Sequence, residues 1–196
     1  MSTREVAKKA VRQQICFAAL KRFSEQGYDA TTVEEIAADV GMSLRTYFRY
    51  YRSKDDVLLG PTHAFATTFL STLETRLAHD ELWSALATSF EHTAVTCEKI
   101  GTAGQAKTLQ ELVSRTPALL ARQLELSEGM LMDATELCLE RSQQARALGW
   151  STTNAVVRCG SACMRATQIA HGGDIQSDGA IAELRQLLEM LRPVAL

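Results

Sequence analysis

Arg45, Arg49, Arg52 and Lys54 stand within ten residues of a chain whose formal net charge is only −2, with Tyr47, Phe48, Tyr50 and Tyr51 set among them. A guanidinium fork can bond guanine O6 and N7 at once, while hydroxyl and ammonium groups suit phosphate oxygens. The chemistry on offer is recognition of a polyanion, and it is local. Residues 1–59 carry ten Lys/Arg against eight Asp/Glu, and the remainder 11 against 15. A basic patch on a mildly acidic chain implies such a partner at one end.

Other chemistries find little support. His63, His79, His92 and His171 lie far apart, and there is no phosphate-cradling glycine loop, zinc-protease helix or nucleophile elbow. No catalytic residue, cofactor or resident metal is expected, and an enzyme reading is set aside. The five cysteines, Cys16, Cys97, Cys138, Cys159 and Cys163, are odd in number and scattered through apolar helical patterns, so they read as reduced core residues. Cys159 and Cys163 share a face at i, i+4, with His171 two turns on, which leaves a metal- or redox-responsive regulator as one alternative. Two small hydrophobes at a helix interface explain the same spacing and are preferred. A ligand-independent interaction adaptor is another alternative.

The patch must be positioned by helices. At 196 residues and 46% hydrophobic content the chain can bury a sizeable core. It lacks the apolar run of a secretory signal at its start, and no segment approaches the ~18 apolar residues of a membrane span, so a cytoplasmic protein with no membrane partner is expected. The spacing of Val11, Ile15, Ala19 and Phe23 predicts a first helix from about Arg4 to Gln26, closed at Gly27. Thr32 to Glu35 reads as a capping box opening a two-turn helix that Gly41 ends. Ser43 is the N-cap candidate for a helix over Leu44 to Tyr51, and Ser53-Lys54-Asp55-Asp56 opens a fourth, which Gly60-Pro61 should kink or break.

Further helices are expected over about Glu81 to Lys99, Ala103 to Arg115, Thr116-Pro117 to Ser142, from a Ser151 or Thr152 cap to Gly172-Gly173, and from Ser177 to Arg192. No segment has the alternation and turn chemistry of a strand. The reading is all-α with about nine helices: an N-terminal three-helix domain over 1–59 and a larger helical domain over 60–196.

Two short helices about a glycine, preceded by a third, form a helix-turn-helix unit. On the second of these, Arg45, Phe48, Arg49 and Arg52 share one side while Tyr47 and Tyr51 can pack on the other. Ser43, Thr46, Tyr50 and Lys54 fit phosphate oxygens, and the helix starts at Thr32 and Lys54 would present free amides to the same backbone. Periodicity alone leaves both a DNA-reading face and a merely solvated one open.

The order Thr31, Thr32, Val33, Ile36, Ala37, Gly41, Ser43, Thr46, Phe48, Tyr50, Tyr51, Ser53, Lys54, Val57 and Leu58 strongly resembles the DNA-binding signature of TetR/AcrR-family transcriptional regulators. The resemblance spans about residues 10–60. It implies a homodimer on a palindromic operator in double-stranded DNA, usually a repressor released by a small-molecule effector. Carried over by position, it implies that Thr32, Ser43, Leu44, Arg45, Thr46, Phe48, Tyr50 and Lys54 face DNA. Arg49, variable in the family, is left to bases, phosphates or solvent. Phe48 stands where the family usually has tyrosine, so its ring is expected on sugar or a thymine methyl. Arg45 replaces a frequent small residue and adds a long base-reading side chain.

In that family helices four to seven enclose a ligand pocket and the last two pair between subunits. Ala155, Val156, Cys159, Gly160, Cys163, Met164 and Ala166-Thr167 form a small-residue stripe, and Ala182, Leu184, Leu187, Leu188 and Leu191 an apolar face, suited either to an isologous interface or to closing the monomer's own core. Residues 109–173 also resemble a C-terminal domain of many actinobacterial TetR-like regulators. Phe69, Trp83, Phe90, Cys97, Leu124, Met130 and Met164 are the candidate lining of a pocket for an apolar or amphipathic effector, each of them also suited to plain core.

Overall fold

The computed structural model describes residues 3–96 and 103–193, so Cys97 and the expected end of the fifth helix lie outside the described residues. Among the described residues there are nine helices and no strand: α1 (Thr3–Gln26), α2 (Val33–Asp39), α3 (Leu44–Tyr47), α4 (Lys54–Arg76), α5 (Leu82–Thr96), α6 (Ala103–Arg115), α7 (Pro117–Arg141), α8 (Gln143–Ala170) and α9 (Asp178–Met190). They divide into two compact units, Met1–Pro61 with Lys99–Gln123, and Thr62–Glu98 with Leu124–Leu196.

In the first unit the stripe of α1 buries Ile15, Ala19 and Phe23 against Ile36 and Ala37 of α2 and against Tyr47 and Tyr51. The Thr32 hydroxyl accepts from the Glu35 amide while the Glu35 carboxylate accepts from the Thr32 amide, which fixes where α2 starts. Its end is fixed by paired bonds, Gly41 N–H to the Ala38 carbonyl and Met42 N–H to the Ala37 carbonyl. That closure needs a left-handed residue at its centre, and Gly41 supplies φ +72°. Ser43 caps α3 by accepting from the Thr46 amide.

α3 is shorter than the expected Leu44 to Tyr51. Beyond Tyr47 the chain keeps turning, but Arg49 N–H bonds the Thr46 carbonyl and Tyr50 N–H the Tyr47 carbonyl, the tighter three-residue pattern, before Tyr51 N–H returns to the Tyr47 carbonyl. Gly60-Pro61 likewise lies inside a continuous α4. Proline there removes only one helical bond, to the Val57 carbonyl, and the rest of the helix carries through.

The division of the chain also differs from a simple cut after residue 59. Leu109 and Val113 of α6 and Leu119 of α7 are buried in the same core as α1 and α2, with α6 packed on α1. An apolar stripe read in a sequence does not say which surface it will cover.

The second unit packs α5, α8 and α9 against each other around Phe69, Leu86, Phe90, Val157, Met164 and Leu184. The rings of Phe69 and Phe90 lie 4.2 Å apart between centroids, and the Trp83 indole N–H donates to the Leu188 carbonyl at 3.2 Å. A Cβ at Gly160 would stand 2.6 Å from Phe90 Cε2, so α8 approaches α5 as closely as it does only because residue 160 has no side chain.

α8 begins at a Ser142 cap, well before the expected Ser151 or Thr152. Gly149, at φ 77° and ψ 170°, interrupts it, and the Thr153 hydroxyl donates across the interruption to the Ala145 carbonyl. The sequence reading saw the restart after this glycine and missed the two turns before it.

Candidate nucleic-acid interface

Along α3 and the turns that follow it Arg45, Arg49 and Arg52 are all exposed, together with Leu44 (36% exposed) and Phe48 (52% exposed). The opposite side is anchored. Tyr47 is fully buried and donates its hydroxyl to the Ser53 carbonyl at 3.2 Å, while Tyr51 donates to the Arg12 carbonyl at 3.4 Å beneath the Arg12 guanidinium, 5.0 Å from its ring. Burial drives the Tyr47 phenol well above its ordinary pKa. Three cations and two apolar side chains are thus held on a rigid base that costs the exposed face nothing.

The short polar residues are partly committed to the backbone. The Ser43 hydroxyl accepts from the Thr46 amide and lies 3.0 Å from the Thr46 hydroxyl, while the Thr32 hydroxyl donates to Glu35 at 3.1 Å. Tyr50 is half-buried, with the Arg49 guanidinium carbon 5.9 Å from its ring. α1 braces α2 through Arg22, which donates to both Asp39 oxygens at 2.6 and 2.7 Å and to Glu35 at 3.4 Å. The bond from Arg22 holds the Asp39 carboxyl below the usual range, and the Thr32 amide does the same for Glu35. This brace was not foreseen, because Arg22 and Asp39 sit on different helices and no spacing rule joins them.

Lys54 has partners other than the phosphate oxygens expected for it. Its ammonium donates to the Tyr28 carbonyl at 2.8 Å, the Thr31 carbonyl at 3.1 Å and, at 3.5 Å, the Asp29 carbonyl. A compact cation with three donors finds three acceptors on the α1–α2 connection.

Residues 15–60, which span this braced and capped arrangement, match the family described as bacterial regulatory proteins of the TetR family. The transcriptional regulator TcmR of Streptomyces glaucescens, described as HTH-type, is 39% identical over 123 residues, 61% of this chain and 54% of that protein. HbdR of Aromatoleum sp. (strain CIB), also an HTH-type transcriptional regulator, is 47% identical over 47 residues, 24% of this chain and 20% of HbdR. Over this N-terminal stretch the chain is similar to TetR-family regulators.

The chain spans about half the length of the first of these relatives and about a fifth of the second. Solved structures share its fold: a protein assigned to the TetR family from Syntrophomonas wolfei, at TM-score 0.58 and 20% identity over 96% of this chain and 99% of that one, and the SmeT–triclosan complex, at 0.54 and 20% over 92% and 91%.

In the second unit, Phe69, Trp83, Phe90, Met130 and Met164 are gathered into one buried cluster. Leu124 does not join them: it is 56% exposed on α7, where Met130, Leu131, Ala134 and Cys138 reach the core. Sequence reasoning missed the buried polar groups beside that cluster. The Asn154 amide donates to the Thr135 hydroxyl at 3.0 Å, and the Asn154 oxygen accepts from Arg158, which forks onto Glu128.

Among the described residues Cys16, Cys138 and Cys163 are buried in the packed cores. Cys163 is buried, which pushes its thiol up to about 11, and the Cys159 thiol donates weakly to the Leu191 carbonyl at 3.7 Å. His171 is paired with Glu183 at 2.7 Å. Among the described residues no group of three His, Cys, Asp or Glu side chains is placed to hold a metal, and no helix is long and apolar enough to cross a membrane.

Proposed function

We propose that this protein is a TetR-family transcriptional regulator, a cytoplasmic repressor that binds a palindromic operator as a homodimer and is released by a small, apolar or amphipathic effector. The observation that carries the reading is the exposed Arg45, Phe48 and Arg49 face of a capped α3 whose Tyr47 is fully buried. Arg45, near the start of α3, reads a base edge, Phe48 contacts sugar or a thymine methyl, and Leu44 adds apolar contact. Thr32, Ser43, Thr46, Arg49 and Tyr50 face the phosphates.

Two such helices must enter successive major grooves one turn apart, about 34–36 Å, so pairing of subunits is part of the reading mechanism. The stripes of α8 and α9 divide in a way that supports it. Val156, Cys163, Leu184 and Leu188 close their own unit, whereas Ile169, Met190 and Leu191 stay 64%, 69% and 47% exposed and Ala155, Ala166 and Ala182 are exposed with them. Monomers in sedimentation at micromolar concentration would contradict the homodimer.

The effector acts through the places where the described chain passes from one compact unit to the other, at residues 61–62 and 123–124. A ligand held by the Phe69, Phe90, Met130 and Met164 cluster releases DNA to the extent that it binds the non-binding spacing better than the binding one. Tight binding with equal affinity for both would change nothing. The fold accommodates small molecules elsewhere, as in the SmeT–triclosan complex.

Arg45→Ala tests the reading at its centre. It is expected to cost roughly 1–3 kcal/mol and to relax one base position in each half-site, as loss of a bidentate base contact does. An unchanged base preference, scored by binding to single-substituted operators, would remove Arg45 from that role.

A further inference from the structure

Lys54 is the one cation of the Arg45 to Lys54 cluster whose charged group turns inward. Its Nζ lies 4.2 Å from the centroid of the Tyr28 ring and bonds the carbonyls of Tyr28, Thr31 and, more weakly, Asp29. The neighbouring residue completes a ring of contacts, because the Tyr28 hydroxyl donates to the Asp55 carboxylate. The same turn is held from α3, since the Tyr47 hydroxyl reaches the Ser53 carbonyl and the Ser53 hydroxyl accepts from the Asp56 amide. Residues 53–56 at the head of α4 are therefore tied both to the α1–α2 connection and to the buried side of α3.

We infer that Lys54 is a positioning residue, clamping the connection that leads into α2 onto the head of α4 and so setting where α2 and α3 stand, rather than a residue that grips a DNA phosphate. An ammonium has three donors and no acceptor, and all three are directed at main-chain oxygens that lie outside any helix ladder. Leaving them to meet a phosphate would strip the Thr31 carbonyl of its Lys54 bond and leave the Tyr28 carbonyl with the Thr31 amide alone, and Lys54 is only partly exposed. The cations left for the polyanion are Arg45, Arg49 and Arg52, which are exposed.

The two roles respond oppositely to a charge-conserving change. Arginine is at least as good a phosphate ligand as lysine, but its flat fork does not fit three carbonyls converging on one point. A phosphate role therefore predicts that Lys54→Arg binds DNA as the unchanged protein does, and the clamp predicts that it does not. Lys54→Met separates them again. Loss of one phosphate contact lowers the slope of log affinity against log salt by ~0.9, whereas loss of a clamp leaves that slope alone and lowers the ratio of operator to non-specific binding.

The test pairs hydrogen exchange on the free full-length chain with salt-titrated binding to operator and to random duplex, for Lys54→Arg and Lys54→Met. The expected result is exchange about tenfold faster at the Thr31 amide and through α2 relative to α8, with operator affinity down about tenfold at unchanged slope. Wild-type binding by Lys54→Arg, or a slope reduced by ~0.9 per subunit with exchange unchanged, would overturn the clamp. Should Lys54→Met fail to fold, Lys54→Arg decides. The binding arm rests on the DNA-reading proposal and the exchange arm does not, so a protein that binds no duplex removes that proposal while exchange still decides the clamp.

Discussion

α3 has four residues and α8 has 28, and the two hold their shape by different means. α3 is fixed by a Ser43 cap on one side and by the buried Tyr47 behind it, which leaves its remaining side chains free to face outward. α8 carries an interruption at Gly149 and is fixed by what it packs against, with Phe90 lying where a Cβ of residue 160 would be. A helix set by caps can spend its surface on recognition. One set by packing commits its inward face, and Val157, Cys163 and Met164 of α8 are core.

The comparison breaks most visibly at Tyr47. Tyr47→Ala removes a fully buried aromatic and its bond to the Ser53 carbonyl, and is expected to cost about 3–5 kcal/mol in chemical denaturation. A cost under ~1 kcal/mol would mean that α3 stands without its anchor, and the contrast with α8 would fail. Gly160→Ala probes the other side, forcing Phe90 away from a site where it meets the new methyl at 2.6 Å. About 1–3 kcal/mol is expected, and Phe90→Leu in the same chain should recover part of it, since the two changes share one contact.

The smallest expected effect is electrostatic and confined to the brace behind α2. Because the Asp39 carboxyl is held below its unfolded value by Arg22, its contribution is present above the ordinary aspartate pKa of ~3.9 and disappears as pH falls through the depressed value in the folded chain. Melting temperatures of the unchanged protein and Asp39→Asn should therefore differ at pH 7, begin to converge as pH falls below about 4, and meet only below the depressed pKa of the folded chain. A gap that persists into acid would mean that the asparagine acts by shape and not by charge.

What could be read in advance follows the same division. The capping box at Thr32 and Glu35, the turn at Gly41, the cap at Ser43 and the outward arginines are all signals within a few residues, and they were legible. The bounds of α6, Ala103–Arg115, matched as well, but not the surface it covers, because Leu109 and Val113 have no local mark that points to α1. Pro61 misled in the usual direction, since one missing bond does not end a helix whose other bonds remain. Lys54 was legible as a cation and not as a clamp, for its acceptors lie 23 to 26 residues away. Leu124 carried the right chemistry for a pocket on a helix that turns it outward.

The central claim is that the outward face of α3, paired by the subunits, reads DNA. Selection of bound duplexes from a random pool tests it most directly. The account predicts enrichment of a two-fold symmetric site with half-sites about one helical turn apart, and loss of one base position per half-site when the selection is repeated with Arg45→Ala. A pool that stays random, or an enriched sequence without symmetry that Arg45→Ala leaves untouched, would contradict it.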